Sequence, residues 1–550
     1  MKKILIPILG MTTLLFFNSC SDDFLDVNQN VNDAYANQVS PKDRLSAAET
    51  IVFRTQGNTM NRFGNLMMNA WAGNIYYFAS PYGDEFRMAA DAQFYDNIWD
   101  NLYLGVSNLQ AVIDAPGAEL YPHHVAAAKI MKAYYMQMIV DLYNDAPYSE
   151  AFKGQANKNP KYDKGKDVYK GLMTELNQAI ALIQQTPATV NRIGYATEDP
   201  MFFSNNTIST HPTNAAQENL DNWRKFWTKM ANTVKLKMLV RLSNCTDSDV
   251  TTWRNAELQG MALLTTVDPS INFIDKDVKI NPGYTTANPD QRNPFYGTFG
   301  KRDLDAQDVG QNFRITVASD HMIKTLRGQT TETSGIVDAR ISRLFRANGM
   351  SEEDNNNIAS NMKGQVQGGT KEVGAVENDF ATLGDFMIYN TGAGATLPGL
   401  LLTISEVKFL QAEAAVVYPA TMAFNAQTSF NDGITQSFVT FGATPASAAT
   451  YLTAIAAKPG VGWGATANKI QAIQYQKWVA LTNINPTETY ISYTKTGYPQ
   501  LPMPIGSYYT TRPKRLMYPQ SEYVSNSANV PNPSVNDMYN INAYSPFWLK

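Results

Sequence analysis

Along most of this chain apolar residues recur every three or four positions, the spacing that gathers them on one face of an α-helix. Ser40-Pro41-Lys42-Asp43 reads as an N-cap with proline at the first helical position, and Ala47, Ile51 and Val52 follow at helical spacing. A second helix is expected from about Phe94 to Ile113, with Tyr95, Ile98, Trp99, Leu102, Val106, Leu109 and Ile113 on one face. A third runs from about His124 to Tyr143 and carries Ala127, Ile130, Met131, Tyr134, Tyr135, Met138 and Leu142. After a loop broken by two prolines, a fourth runs from about Lys166 to Ile183. In "DNWRKFWTKMANTVKLKMLVRLSN" the residues Trp223, Phe226, Trp227, Met230, Val234 and Met238 form one stripe, which reads as core.

From about 265 to 315 this period fades. The segment "INPGYTTANPDQRNPFYGTFGKRDLD" is rich in Pro, Gly, Asn and aromatic residues, as is the stretch from about 363 to 400. Loops this long in a helical protein are functional or disordered. Helices resume at "LTISEVKFLQAEAAVVY", "FNDGITQSFVTFG" and "NKIQAIQYQKWVALTN". Residues 485–550 carry many prolines and tyrosines with little periodicity, and are too aromatic for disorder. They are expected to wrap the helices. Neither a regular repeat nor a sharp boundary interrupts the pattern, so the expectation is one large, mainly α domain over 41–550 with long inserted loops.

The first residues depart from this pattern. Lys2 and Lys3 precede an apolar run, Ile4 to Phe17, that has the length of a signal-peptide core and falls short of the roughly 20 residues a spanning helix needs. The following Phe17-Asn18-Ser19-Cys20 resembles a bacterial lipobox, although Phe17 is bulkier than the usual leucine. That resemblance implies a lipoprotein signal peptide over 1–19, lipidation of Cys20 and a tether over 20–40. An ordinary signal peptide with an incidental cysteine is the alternative. Ser21, Asp22 and Asp23 resemble the export signal of Bacteroidetes surface lipoproteins, or serve as a plain polar tether. No other stretch approaches ~18 unbroken apolar residues, so the expected membrane connection is the lipid anchor alone.

Composition narrows the chemistry. The chain has 550 residues, a net charge of −4, 44% hydrophobic and 17% charged residues, which is globular and mildly acidic. No basic stripe interleaved with aromatics is visible, which argues against nucleic acid. Cys245 is the only cysteine besides Cys20, so a disulfide framework and a cysteine metal site are excluded, and it reads as a small core residue. His123 and His124 are adjacent and would point about 100° apart on a helix, a poor joint metal site. "SEEDNNN" at 351–357 lacks the alternating ligands and central glycine of a calcium loop. "GVGWG" at 460–464 lacks the preceding strand and following Lys-Ser/Thr of a phosphate loop. No cofactor or metal is expected, and nothing singles out a catalytic residue. The 29 Tyr, 25 Phe and 8 Trp stand out, with Asn common around them. Ring faces take apolar C–H surface and amides take hydroxyl or backbone groups, so this mixture suits polyhydroxylated or peptidic ligands as well as a helical core.

Several segments then line up in order with one known family. "DLYNDAPYSEAF", "NPKYDKGKDVYKGLMTELNQAI", "WRKFWTKMANTVKLKMLVRLS", "LTISEVKFLQAEAA", "FNDGITQSF", "IQYQKWVALT", "TKTGYPQL" and "RPKRLMYPQSEYVSNSANV" each resemble its motifs. With the lipobox and acidic pair in front, the chain resembles the SusD/RagB family of outer-membrane nutrient-binding lipoproteins over nearly its whole length. Lys235 and Lys237 stand where that family commonly has arginine. The resemblance implies tetratricopeptide-like helix pairs with a ligand site made by inserted loops. It also implies a cell-surface location on the outer membrane, a SusC-like TonB-dependent barrel as partner, and no catalysis.

Motif helices give no ligand residues, so candidates come from local chemistry in two loops. "NIYYFASPYGDEF" offers Tyr76, Tyr77, Tyr82 and Asp84, and "NPGYTTANPDQRNPFYGTFGKRD" offers Tyr284, Arg292, Tyr296, Phe299 and Arg302. Each could instead pack its loop against the core or a partner. The cargo expected first is an oligosaccharide, since exposed charge is sparse; peptides are the alternative. A surface scaffold without nutrient binding, or a hydrolase with a close carboxylate pair, would belong to other classes.

Overall fold

A computed structural model describes residues 39–194, 196–210, 215–300, 311–348, 356–384 and 393–550. The segment 1–19, Cys20, Asp22, Asp23 and Arg302 lie outside the described residues.

The long helices are α1 (Pro41–Thr55), α2 (Asp96–Ile113), α3 (Pro122–Tyr143), α4 (Gly165–Ile183), α5 (Ala215–Arg241) and α6 (Ser248–Thr265) in the first half. In the second half they are α7 (Ile404–Val417), α8 (Ala426–Thr440), α9 (Pro445–Ile455), α10 (Lys469–Leu481) and α11 (Pro486–Thr496). Their ends carry the expected chemistry. Thr403, Asn425 and Asn468 accept backbone N–H groups at the starts of α7, α8 and α10, and Gly497 closes α11 in the left-handed region at φ 75°. α1 begins with proline in its first turn, as its sequence predicts. Its buried face is Leu45, Ala48, Val52 and Phe53, whereas Ala47 and Ile51 face outward: they share a stripe one residue, about 100° of helix, away from the core-facing one.

Three helices escape the periodicity reading for a physical reason. α6 and α9 bury only a few apolar side chains each. α11 lies in the segment read as aperiodic, because its buried residues include Thr487, Glu488, Thr489, Ser492, Thr494 and Lys495. A helix that buries polar groups leaves no hydrophobic period to find.

Neighbouring helices pack in pairs: α1 on α2, α3 on α4, α7 on α8 and α10 on α11. α5 touches both α3 and α7 and so joins the two halves. Its Trp223, Phe226, Trp227, Met230, Val234 and Met238 are all buried, and α3 is buried on nearly every side. Below Met238 the joint becomes ionic. Lys237 reaches Glu406 of α7 at 3.0 Å and Glu488 of α11 at 2.9 Å. Arg241 reaches Asp141 of α3 at 3.1 Å and Glu488 at 2.8 Å, and Lys477 of α10 adds a contact to Glu488 at 2.9 Å. Lys495 and Glu413 extend the cluster at 2.8 Å. Buried charge is tolerated only when paired, and here carboxylates and cations match one for one. The segments that carry the family resemblance are largely those that build this joint, which is why they hold structure and not ligand.

The inserted segments are pinned by short strands. β1 (Trp71–Gly73), β3 (Thr316–Ala318), β5 (Thr382–Leu383) and β4 (Phe345–Arg346) form one antiparallel sheet in the order β1-β3-β5-β4, while β2 (Val278–Ile280) pairs with β6 (Gly399–Leu402). After α11 the chain wraps the helices as expected. Leu516 N donates to Leu142 O (2.8 Å), Trp548 Nε1 donates to Asp141 Oδ1 (2.8 Å), and Tyr518 and Trp548 are buried. Cys245 is a buried free thiol whose pKa burial pushes up, in keeping with a core role. Among the described residues no helix is long and apolar enough to cross a membrane.

Candidate functional site

The first candidate loop leaves β1 and returns into a short helix, Gly83–Arg87. Gly73 lies so close to Pro81 that a Cβ there would sit 2.3 Å from the proline ring, so glycine is needed for the loop to fold back. Tyr82 takes the left-handed region at φ 57°, a conformation uncommon for a non-glycine residue. Asn74 ties the loop to the sheet side: its N–H donates to Ile315 O (2.7 Å) and its amide to Glu377 O (3.1 Å).

The loop carries three aromatic residues in succession, a row in sequence. Tyr76 is half-buried, stacks on Phe380 at 5.3 Å between centroids, and donates its hydroxyl to Glu372 O (3.2 Å). Tyr77 is half-buried under Arg314, whose Cζ is 3.8 Å from the ring centroid. Arg314 is in turn held by both carboxylate oxygens of Glu377, each at 2.9 Å. Phe78 follows and is 49% exposed. The loop reading did not single out Phe78, Arg314 or Glu377. Residues 314 and 377 reach the loop only through the sheet, so no local signal in the sequence could have named them. Tyr82 turns inward: its hydroxyl bonds Thr316 Oγ1 at 2.5 Å, and burial pushes its pKa up to about 12. Asp84 is exposed and paired with Arg87 at 2.7 Å.

In the second loop the asparagines have structural work. Asn281 accepts from Gly283 N and Tyr284 N, Asn288 from Asp290 N, and Asn293 from Phe295 N and Tyr296 N. Asn293 starts a short helix, Pro294–Phe299, which lays Phe295 and Phe299 against Trp71 at centroid distances of 6.1 and 5.0 Å. Tyr296 is 1% exposed and Phe299 0%. The expectation that these two rings meet ligand is therefore corrected. In this six-residue helix Phe295 and Phe299 are the struts that hold the second loop to the root of the first, and Tyr296 is buried as well.

Tyr284 and Arg292 fall elsewhere, in a cleft of about 330 Å³ between α1 and the second loop. Arg54 and Asn58 line one wall; Tyr284, Asp290 and Arg292 line the other. Burial raises the Tyr284 phenol above its ordinary value. A cavity of about 380 Å³ lies over His123 and Trp223, but its walls are mainly apolar, with Val190, Ile193, Phe202 and Leu220 among them. His123 stacks on Trp223 at 4.4 Å, and burial pushes its pKa down to about 4. Among the described residues no group of three or more His, Cys, Asp or Glu is placed to hold a metal ion. The arrangement offers ring faces, a clamped guanidinium and backbone groups, which can bind a ligand by stacking and hydrogen bonding.

A family model for SusD-like proteins, "Starch-binding associating with outer membrane", matches residues 34–519. Among solved structures, a SusD homologue from Bacteroides fragilis superposes with a TM-score of 0.61 at 21% identity, covering 90% of this chain and 94% of its own. A chitin-binding SusD homologue from Flavobacterium johnsoniae superposes with a TM-score of 0.60 at 19% identity, covering 88% and 93%. A Bacteroidetes SusD-like protein gives 0.62 at 20% identity, covering 93% and 99%. At these identities the superpositions speak for the fold. No curated protein matches the sequence.

Proposed function

This chain belongs to the SusD-like family, and from that membership we propose that it is a receptor on the outer face of the outer membrane. It binds oligosaccharides and passes them, as a lid, to a SusC-like TonB-dependent barrel. Cys20 carries the lipid that holds it there. The task is binding and release, and no catalytic step is assigned to it.

One observation carries the binding part: three consecutive aromatic residues, Tyr76, Tyr77 and Phe78, stand in the loop after β1, with Tyr77 against Arg314 and Phe78 exposed. A sugar ring presents an apolar C–H face and an edge of hydroxyls. An exposed ring takes the face, while a guanidinium held in place takes the hydroxyls without losing much side-chain freedom. The family's association with the outer membrane, and the chitin-binding relative of the same fold, support this class of cargo. Electrophoresis of the chain through gels containing soluble starch or glycol chitin tests it. Retardation by at least one polysaccharide, relieved in Phe78→Ala, is the expected result. Free migration in both gels, with retention on a column of immobilised peptides, would replace the glycan with the peptide cargo. Retention on neither would favour a scaffold.

A further inference from the structure

The cavity of about 380 Å³ over His123 and Trp223 has no part in the function proposed above. Its walls come from the starts of α1, α3 and α5, from the loop 189–194 and from the short helix Pro200–Asn205. The stacked rings of His123 and Trp223, with Phe202 and Leu220, make the lining apolar. The loop wall is held in place: Arg192 Nε donates to Pro187 O (3.1 Å), and Gly194 N donates to Glu198 Oε2 (2.8 Å). Yet Val190 and Ile208, which line the cavity, are 77% and 37% exposed. Apolar residues scattered singly on a surface mean little, but these two border an apolar cavity, where a cover would remove both from water.

The rim is positive. Lys42 and Arg192 line it, and no Asp or Glu stands among the described lining residues. Glu198 pairs with Lys42 at 2.9 Å, which leaves the charge of Arg192 in excess. His123 adds a ring face and no charge, with Nε2 2.9 Å from Gln185 O. The occupant that fits is therefore a pair of large apolar side chains with a carboxylate beside them.

The chain itself carries such a segment. Lys42 stands only three residues past Val39, where the described chain begins. Upstream, outside the described residues, is Asp22-Asp23-Phe24-Leu25-Asp26. Phe24 and Leu25 are the only adjacent pair of large apolar residues between Cys20 and α1, and carboxylates flank them on both sides. Residues 26–38 join the pair to the described chain and can span up to about 43 Å. A segment on so short a linker meets its site at an effective concentration of order millimolar, so a modest contact is enough.

We infer that Phe24 and Leu25 dock in this cavity and cover Val190 and Ile208, with Asp23 or Asp26 beside Arg192. If Cys20 carries the lipid, docking leaves four residues, about 13 Å of chain, between the anchor and the cavity. The starts of α1 and α5 then face the membrane, and the tether sets the orientation of the receptor as well as its distance. That consequence rests on the lipid reading of Cys20; the docking does not.

Disulfide trapping tests it on the full chain carrying Cys20→Ser, Leu25→Cys and Val190→Cys. Val190 is exposed and Leu25 precedes the described fold, so neither change removes core packing, and the remaining thiol, Cys245, is buried. Docking predicts a disulfide within one chain, found as a linked peptide by mass spectrometry. It should form at least tenfold faster than in Leu25→Cys with Val373→Cys, an exposed position next to Glu372, and at least fivefold slower once Phe24→Ser is added. Equal rates in the two pairs overturn the inference. So does a disulfide that forms only between chains, which would give the cavity to a second copy. Hydrogen exchange without added cysteines is the second measurement: amides of 189–194 should exchange at least threefold faster in Phe24→Ser/Leu25→Ser than in the parent, and equal exchange overturns the docking too. Neither readout involves a sugar, so failure here leaves the oligosaccharide receptor standing, and failure of sugar binding leaves the docking.

Discussion

Arg314 lies over Tyr77, with its Cζ 3.8 Å from the ring centroid, and both oxygens of Glu377 hold the same guanidinium at 2.9 Å. The three residues act as one unit, and Glu377 matters to ligand only through Arg314. Arg314→Ala and Glu377→Ala should therefore weaken oligosaccharide binding to a similar extent, three- to tenfold, or about 0.6–1.4 kcal/mol. The double variant should be no worse than Arg314→Ala alone. Calorimetric titration of the three variants checks this, and losses that add would break the unit apart. Thermal midpoints should hardly move, since the residues are partly exposed.

Phe78 and Phe299 should behave in opposite ways. Phe78 is half exposed, so Phe78→Ala should leave stability within about 0.5 kcal/mol and lower ligand affinity. Phe299 is fully buried against Trp71 and Phe295, so Phe299→Ala should cost about 3–5 kcal/mol. Urea unfolding followed by tryptophan fluorescence distinguishes them. A Phe299→Ala variant as stable as the parent would mean the short helix is not packed as described.

The ionic joint predicts how the protein responds to acid. Burial alone would raise the Glu488 carboxyl, but Arg241, Lys237 and Lys477 together outweigh it and hold it well below its ordinary value. A carboxylate depressed in the folded state stabilises fully above its unfolded value, about 4.3, and loses that contribution as pH falls below it. Glu488→Gln leaves buried cations without their shared partner and should cost about 3–5 kcal/mol at pH 7. Its unfolding midpoint should also fall less than the parent's between pH 5 and pH 3. Equal acid sensitivity in both proteins would remove Glu488 from this role.

Asp199 predicts the reverse sign. It is buried and accepts from Phe202 N, Trp223 Nε1 and Trp227 Nε1 at 2.6, 2.9 and 2.8 Å. Burial outweighs these donors and raises its pKa to about 6. A carboxyl raised in the folded state binds more protons there than in the unfolded chain. Its contribution is present below about pH 4 and is lost as pH rises through 6. Asp199→Asn removes that titration and should cost about 1–3 kcal/mol, because one acceptor becomes a donor. The stability gap between parent and variant should narrow from pH 4 to pH 7. A gap that is flat or widens contradicts the assignment.

Most of the helical frame was legible because its helices bury apolar stripes: Trp223 to Met238 is an example. α11 was not, because what it buries is Glu488, Lys495 and their partners across the ionic joint. The two loops were legible as Pro-, Gly- and aromatic-rich segments, but the direction of each ring within them was not. Tyr296 and Phe299 turn inward because Asn293-Pro294 starts a short helix, a cap signal present in the sequence. Phe78 is exposed in part for a reason that no local stretch contains: Asn74, four residues before it, is tied to Ile315 and Glu377.

The central claim is that the aromatic row binds an oligosaccharide. Isothermal titration of the full chain with maltoheptaose and with chitohexaose, repeated on the Tyr77→Ala/Phe78→Ala double variant, tests it most directly. Saturable binding of at least one of them, weakened at least tenfold in a variant whose thermal midpoint is unchanged, is the result this account predicts. Heat signals that are absent for both sugars, or undiminished in the double variant, would contradict it.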